Sequence, residues 1–220
     1  MLRFVSLFLL AFSLAAPAWA LESAHLRYHT LTRHWSAFEQ LAPEARNRVR
    51  LTVRVEAPHA TGPVAMWMEV AGHRYDLTVD SYGLVQVPRD ADIIAADPLV
   101  ESNQPRGSID TELALLLLVP DSQHFHYADL QAATDQTNAL IRQAAGGLVS
   151  MFLPTITGVT FTCPTDDADC AITVHRGAGD QVLRANRDGK ILLPLNPALA
   201  AENPLIEASA PLSDIEPASD

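Results

Sequence analysis

Leu51–Asp110 and Thr157–Glu216 align without a single gap at one constant offset of 106 positions. The offset carries Pro58 onto Pro164, Pro88 onto Pro194, Pro98 onto Pro204 and Pro105 onto Pro211, with Gly83 on Gly189 and Glu101 on Glu207. Between these anchors apolar residues meet apolar residues: Leu77 and Leu183, Val85 and Ile191, Ile93 and Leu199, Val100 and Ile206. Composition alone does not put four prolines and a glycine in register, so the chain reads as a duplicated module.

Each anchor has a backbone reason. Asp80-Ser81-Tyr82-Gly83 and Asn186-Arg187-Asp188-Gly189 sit between alternating apolar runs, and a glycine ending such a tetrad takes the left-handed conformation of a hairpin turn. The flanking pieces are therefore expected to pair as antiparallel strands. Pro88 and Pro194 then end the returning strand, because proline donates nothing to a ladder. Period-two alternation marks strands at Val49, Leu51, Val53 and Val55, whose opposite face carries Arg48, Arg50 and Arg54 and is expected to be wet. In the second module Val159 with Phe161, Ile172 with Val174, and Ile191 with Leu193 form the inward rows.

Two stretches fall outside the duplication. Leu115-Leu116-Leu117-Leu118 looks like a strand buried on both faces. After it Leu130, Ala133, Thr137, Leu140 and Ile141 recur at helical spacing, with Gly146-Gly147 as the stop. Leu31, Trp35, Phe38 and Leu41 form a second helical stripe, closed by Pro43. The expected fold is mainly β with minor α: two tandem related antiparallel β-modules, sandwich-like or half-barrel, joined by one helix and preceded by a short N-terminal helix. The divisions are a signal peptide at 1–20, an N-terminal helical segment at 21–48, β-module 1 at 49–120, the linking helix at 121–151, β-module 2 at 155–212 and a flexible acidic tail at 213–220.

Arg3 followed by the apolar run from Phe4 to Ala16, then Ala18-Trp19-Ala20, has the form of a secretory signal peptide cleaved near Ala20. The run is shorter than the roughly 20 residues needed to span a bilayer. No cysteine stands near the cleavage site to take a lipid, so the mature chain is expected to be soluble in the periplasm or outside the cell. Cys163 and Cys170 are the two cysteines, and in an oxidising compartment a disulfide across their short polar loop is expected. It would pin the mouth of a hairpin.

A formal net charge of −11 argues against nucleic acid or an anionic membrane surface as the main partner. The charge is uneven, however. Arg27, Arg33, Arg46, Arg48, Arg50 and Arg54 lie early, whereas the end of the chain carries Glu202, Glu207, Asp214, Glu216 and Asp220. Two solvated surfaces of opposite sign explain this; a patch for an anionic partner near the N-terminus is the alternative.

No G-x-S-x-G, H-E-x-x-H, P-loop, G-x-G-x-x-G or S-x-x-K pattern occurs, and Gly177-Ala178-Gly179 reads as a hairpin turn. Catalytic residues are therefore not assigned, and no cofactor is expected. His25 and His29 near the start, and His124 and His126 in an H-x-H pair, are the residues that suit a metal; surface histidines at segment ends are the competing explanation. Trp67, which alternates with Met66 and Met68, is with Tyr75 and Tyr82 a candidate aromatic contact for a polymer or peptide. These observations point to a non-enzymatic exported protein that binds or scaffolds another envelope protein or polymer. An envelope-polymer hydrolase using a carboxylate pair and a periplasmic metal-binding protein are the alternatives.

Overall fold

The computed structural model describes residues 23–60, 62–145, 156–164 and 169–219. The segment read as a signal peptide, the expected stop at Gly146-Gly147 and the loop between the cysteines at 165–168 lie outside these residues. The protein is mainly β, with antiparallel sheet curled into a half-barrel and a few helices.

The first half runs β1 (Ser23–Arg27), α1 (Tyr28–Thr32), α2 (Trp35–Glu39), β2 (Val49–Glu56), β3 (Met66–Val70), β4 (His73–Val79), β5 (Leu84–Gln86), α3 (Ala91–Ala96), β6 (Leu99–Pro105) and β7 (Asp110–Leu117). Its seven strands form one sheet in the order β1-β6-β3-β4-β5-β2-β7. Alternation decides which residues go inside: Val53, Val55, Met66, Met68, Leu77 and Val100 point into one core, closed by Tyr28 of α1 and Ile93 of α3.

The second half runs β8 (His124–His126), α4 (Tyr127–Ala145), β9 (Gly158–Thr162), β10 (Ala171–His175), β11 (Gln181–Arg184), β12 (Lys190–Pro194), α5 (Pro197–Glu202), β13 (Leu205–Ala208) and β14 (Asp214–Ala218). These strands form a four-stranded sheet, β11-β10-β13-β8, and a three-stranded one, β12-β9-β14. Phe125, Leu130, Val159, Phe161, Ile172 and Ile206 make its core.

Several local devices occur in both halves. Gly83 (φ +78°) and Gly189 (φ +70°) are left-handed, and each donates its N–H to the first residue of its turn, Asp80 or Asn186. The side chain of that first residue accepts two further N–H groups, from Tyr82 and Leu84 in one turn and Asp188 and Lys190 in the other. Asp97 (φ +43°) and Asn203 (φ +45°) end α3 and α5 in the left-handed conformation. Their side chains take the N–H of His29 and of Ala128. Tyr28 N–H donates to the Pro98 carbonyl at 2.9 Å and Tyr127 N–H to the Pro204 carbonyl at 3.0 Å.

The structure corrects several expectations. The stripe from Leu31 to Leu41 is broken at Arg33-His34 into α1 and α2. Leu31 packs beneath α1 in the interior, whereas Phe38 and Leu41 face outward to another surface, so one straight helix does not serve both. The 21–48 segment also supplies β1, the edge strand on β6. Segment 121–151 is more than a linker, because β8 pairs with β13 before α4 begins. The 213–220 tail contains β14, paired along its length with β9 and burying Asp214 and Ile215. Charge and proline suggested a loose tail, but Ile215 fits opposite Phe161 and the ladder absorbs its backbone.

The turn at Gly189 is not a two-stranded hairpin. β11 pairs with β10 and β12 with β9, leaving the Asn186 N–H to Lys190 carbonyl bond across the turn. For the same reason the bonded cysteines, Cα–Cα 6.1 Å, do not pin a hairpin mouth. They tie the end of β9 in one sheet to the start of β10 in the other.

A Cβ on Gly83 collides with the Val55 carbonyl oxygen, whereas one on Gly189 meets open space. Gly189→Ala is therefore expected to cost about 1 kcal/mol, the left-handed backbone penalty alone. Gly83→Ala should cost about 2 kcal/mol or more, since backbone must also move. Urea melts of the two variants measure this difference, and equal losses would contradict it.

A charged junction, a histidine row and an apolar groove

Three features stand outside the two cores. The first is the junction between the halves, where β14 lies alongside β7. Arg54 on the outer face of β2 holds Glu216 through both guanidinium nitrogens and reaches Glu112 at 3.3 Å. Burial opposes its charge, but the Glu216 and Glu112 contacts outweigh that and hold the guanidinium ionised. Arg50 approaches Asp214 at 3.6 Å, and the Tyr82 hydroxyl donates to the Cys163 carbonyl. The arginine face of β2 is thus only partly wet: Arg50 is exposed, while the second half covers Arg54. The position of Asp214 is unfavourable for its charge, with burial and the neighbouring Asp80 pushing its carboxyl up to about 6.

The second feature is a row on the outer sheet faces. His25 lies opposite Glu101 across β1 and β6, and His124 lies opposite Glu207 across β8 and β13. Glu101 accepts the Trp67 indole N–H at 3.0 Å, and the Arg74 guanidinium stacks 4.3 Å from the ring centre. Glu207 instead meets His175 Nε2 at 3.1 Å, while His175 Nδ1 faces Asp180 at 3.0 Å. Hydrogen bonds from Glu207 first and Asp180 second raise the His175 pKa above its ordinary value. Both glutamates therefore bind side chains.

The third is an open groove of about 660 Å³. Ala37, Phe38 and Leu41 line it from α2 and the turn after it, and Leu51 from β2. Leu113 and Leu115 contribute from β7, and Leu140 and Ile141 from the last turns of α4. His34 and Gln143 are its polar lining residues. Leu113 is 42% exposed, so this wall is open to solvent. β7 is accordingly an edge strand with one wet apolar side, not a strand buried on both faces. An apolar concavity of this size with a few polar groups has the character of a small-molecule site.

The residues singled out from sequence do not gather at one place. His25 bonds the Ser23 carbonyl, His29 sits at the Asp97 cap, and His124 and His126 are exposed on β8. Among the described residues no group of three or more His, Cys, Asp or Glu is arranged to hold a metal ion. Trp67 lies on the outer row, Tyr75 is exposed on β4, and Tyr82 is engaged at the junction. None of the three lines the groove. Sequence reasoning missed the groove and His175. The stripes of α2 and α4 were visible, but nothing in the sequence said that they face each other across β2 and β7.

The molecule is thus a β-rich half-barrel protein whose charged junction and apolar groove lie outside its two large cores, with a small third cluster of Leu84, Ala114 and Leu116 on β5 and β7. A family model described as "Protein of unknown function (DUF2987)" matches residues 22–163, and the chain belongs to that family. The match takes in every groove-lining residue. No curated protein and no solved structure matches the chain.

Asp214 yields a pH signature with a definite sign. Its folded pKa, about 6, exceeds the ordinary value of 3.8, so its contribution is most favourable below the unfolded pKa and is lost as pH rises towards 6. Asp214→Asn should therefore stabilise the protein at pH 7 by up to about 3 kcal/mol, with the gain vanishing below about pH 4. Denaturation at pH 4 and pH 7 tests this; a destabilised variant at pH 7 would show that the Arg50 contact dominates. His175 behaves oppositely to a buried base. Glu207→Gln should bring its NMR titration back towards the ordinary histidine value, and an unmoved titration would remove Glu207 as the cause.

Proposed function

We propose that this is an exported, non-enzymatic protein that works in the periplasm or outside the cell, binding another component of the cell envelope in the groove between α2, β2, β7 and α4. The observation that carries this reading is the groove itself: an apolar wall left open after both cores are filled, with Leu113 at its surface. Among the described residues the groove lining includes no carboxylate, which gives the hydrolase alternative no support there. The bonded Cys163 and Cys170 support an oxidising compartment, as does the leader-like form of residues 1–20.

The same reading takes the two halves as copies of one unit. The element succession supports it: each half runs a strand, helical structure (α1 and α2 in the first half, α4 alone in the second), four strands, a short helix and two strands. So do the matched left-handed residues and the paired caps at Asp97 and Asn203. The copies have diverged where it matters for binding, since only the first half presents β2 and β7 to the groove.

A photo-crosslinking amino acid at position 113, introduced in cells, tests the binding reading. An adduct formed with an envelope component from position 113, and absent when the probe sits at exposed Tyr75, is expected. Mass spectrometry of the exported chain should find Leu21 as its first residue. No adduct from position 113, or a chain retained with residues 1–20 in the cytoplasm, would overturn the proposal.

A further inference from the structure

The early arginines do not share one fate. Arg48 is paired with Asp129, Arg50 with Asp214, and Arg54 with Glu112 and Glu216. Arg46 donates to the Leu41 and Glu39 carbonyls, and Arg27 to the Asp97 carbonyl. Arg33, like Arg27 and Arg46, has no ion pair among the described residues, but its Nε donates to a side chain, His34 Nε2, at 2.9 Å. A histidine that accepts at Nε2 carries its ring proton on Nδ1, so His34 keeps a donor of its own. His34 lines the groove. A guanidinium without an ion pair is therefore bonded to the histidine that lines one part of a largely apolar concavity, in a chain of net charge −11.

We infer that the groove takes a carboxylate-headed acyl chain, a free long-chain fatty acid, with its tail along Phe38, Leu51, Leu113 and Leu115 and its head at Arg33 and His34. This rests on the proposed binding role and names its ligand class. Charge complementarity selects the ligand. Among the described residues the lining carries no acidic group to repel a carboxylate, and Arg33, bonded to the groove-lining His34, is the early arginine without a carboxylate partner that touches the groove lining through a side-chain bond. The volume, about 660 Å³, falls within the range of small-molecule sites, roughly 300–1,000 Å³. The tail would cover the wall that leaves Leu113 exposed.

The test is fluorescence titration of the full chain with cis-parinaric acid, followed by displacement with hexadecanoic acid and with uncharged hexadecanol. Saturable one-site binding is expected, displaced by hexadecanoic acid. Leu113→Glu, on the exposed rim, should weaken it about tenfold or more by placing a charge against the tail. Arg33→Ala should weaken hexadecanoic acid about three- to fivefold, the worth of an exposed charge-assisted contact, and leave hexadecanol unchanged. Thermal melts matching the parent show that the variants are folded. Absence of saturable binding, undiminished binding by folded Leu113→Glu, or equal loss of both ligands in Arg33→Ala would overturn the inference. A crosslink from position 113 to a protein, without fatty-acid binding, overturns the ligand class and leaves the broader reading standing. No crosslink and no fatty-acid binding overturn both.

Discussion

Arg54 occupies the place where the two halves of the chain meet. It stands on β2, the strand that β5 and β7 flank, and its guanidinium grips Glu216 on β14 while touching Glu112 on β7. A cation so covered is tolerable only with its acceptors in place, because a partly buried charge loses hydration that a paired carboxylate must replace. This explains much of the lopsided charge of the chain. Several of the early arginines and late acids face each other across one internal surface, joined again by Arg50 with Asp214 and by Arg48 with Asp129. The anionic partner suggested by the arginine cluster is, for those three residues, the second half of the chain.

That junction also sets where binding is conceivable. With the outer face of β2 engaged near Arg54, its other face at Leu51 joins β7, α2 and α4 around the groove. Arg33 lies before α2, away from the acids of β14, and keeps its charge unpaired among the described residues. Polar and apolar features thus separate by the two faces of one strand. Arg50 and Arg54 meet acids of β14 on one face, and Leu51 on the other opens to the groove.

Much of the fold was legible because it is local. Alternation located β2, β3, β9, β10 and β12, and the tetrads ending in Gly83 and Gly189 announced turns whose backbone is left-handed in both cases. Helical spacing located α4. Three features were illegible because they depend on partners far along the chain. β14 is too polar to recommend itself as a strand until β9 offers Phe161 opposite Ile215. β1 and β8 are short strands made by β6 and β13. His175 drew no attention because Asp180 is near it in sequence but Glu207 is not.

The chain by itself determined its periodicities, its two left-handed turns, the proximity of Cys163 to Cys170 and the matched spacing of prolines, all of which follow from steric and patterning rules acting over a few residues. Tertiary structure alone decided that the turn at Asp80 joins a continuous sheet while that at Asn186 passes between two sheets. It also decided that the disulfide ties those sheets, that Arg48 and Arg54 meet acids more than eighty residues away, and that two helical stripes enclose a groove. The reason is that strand pairing and charge pairing are satisfied by whichever acceptor the folded chain brings near, and sequence spacing does not encode that distance.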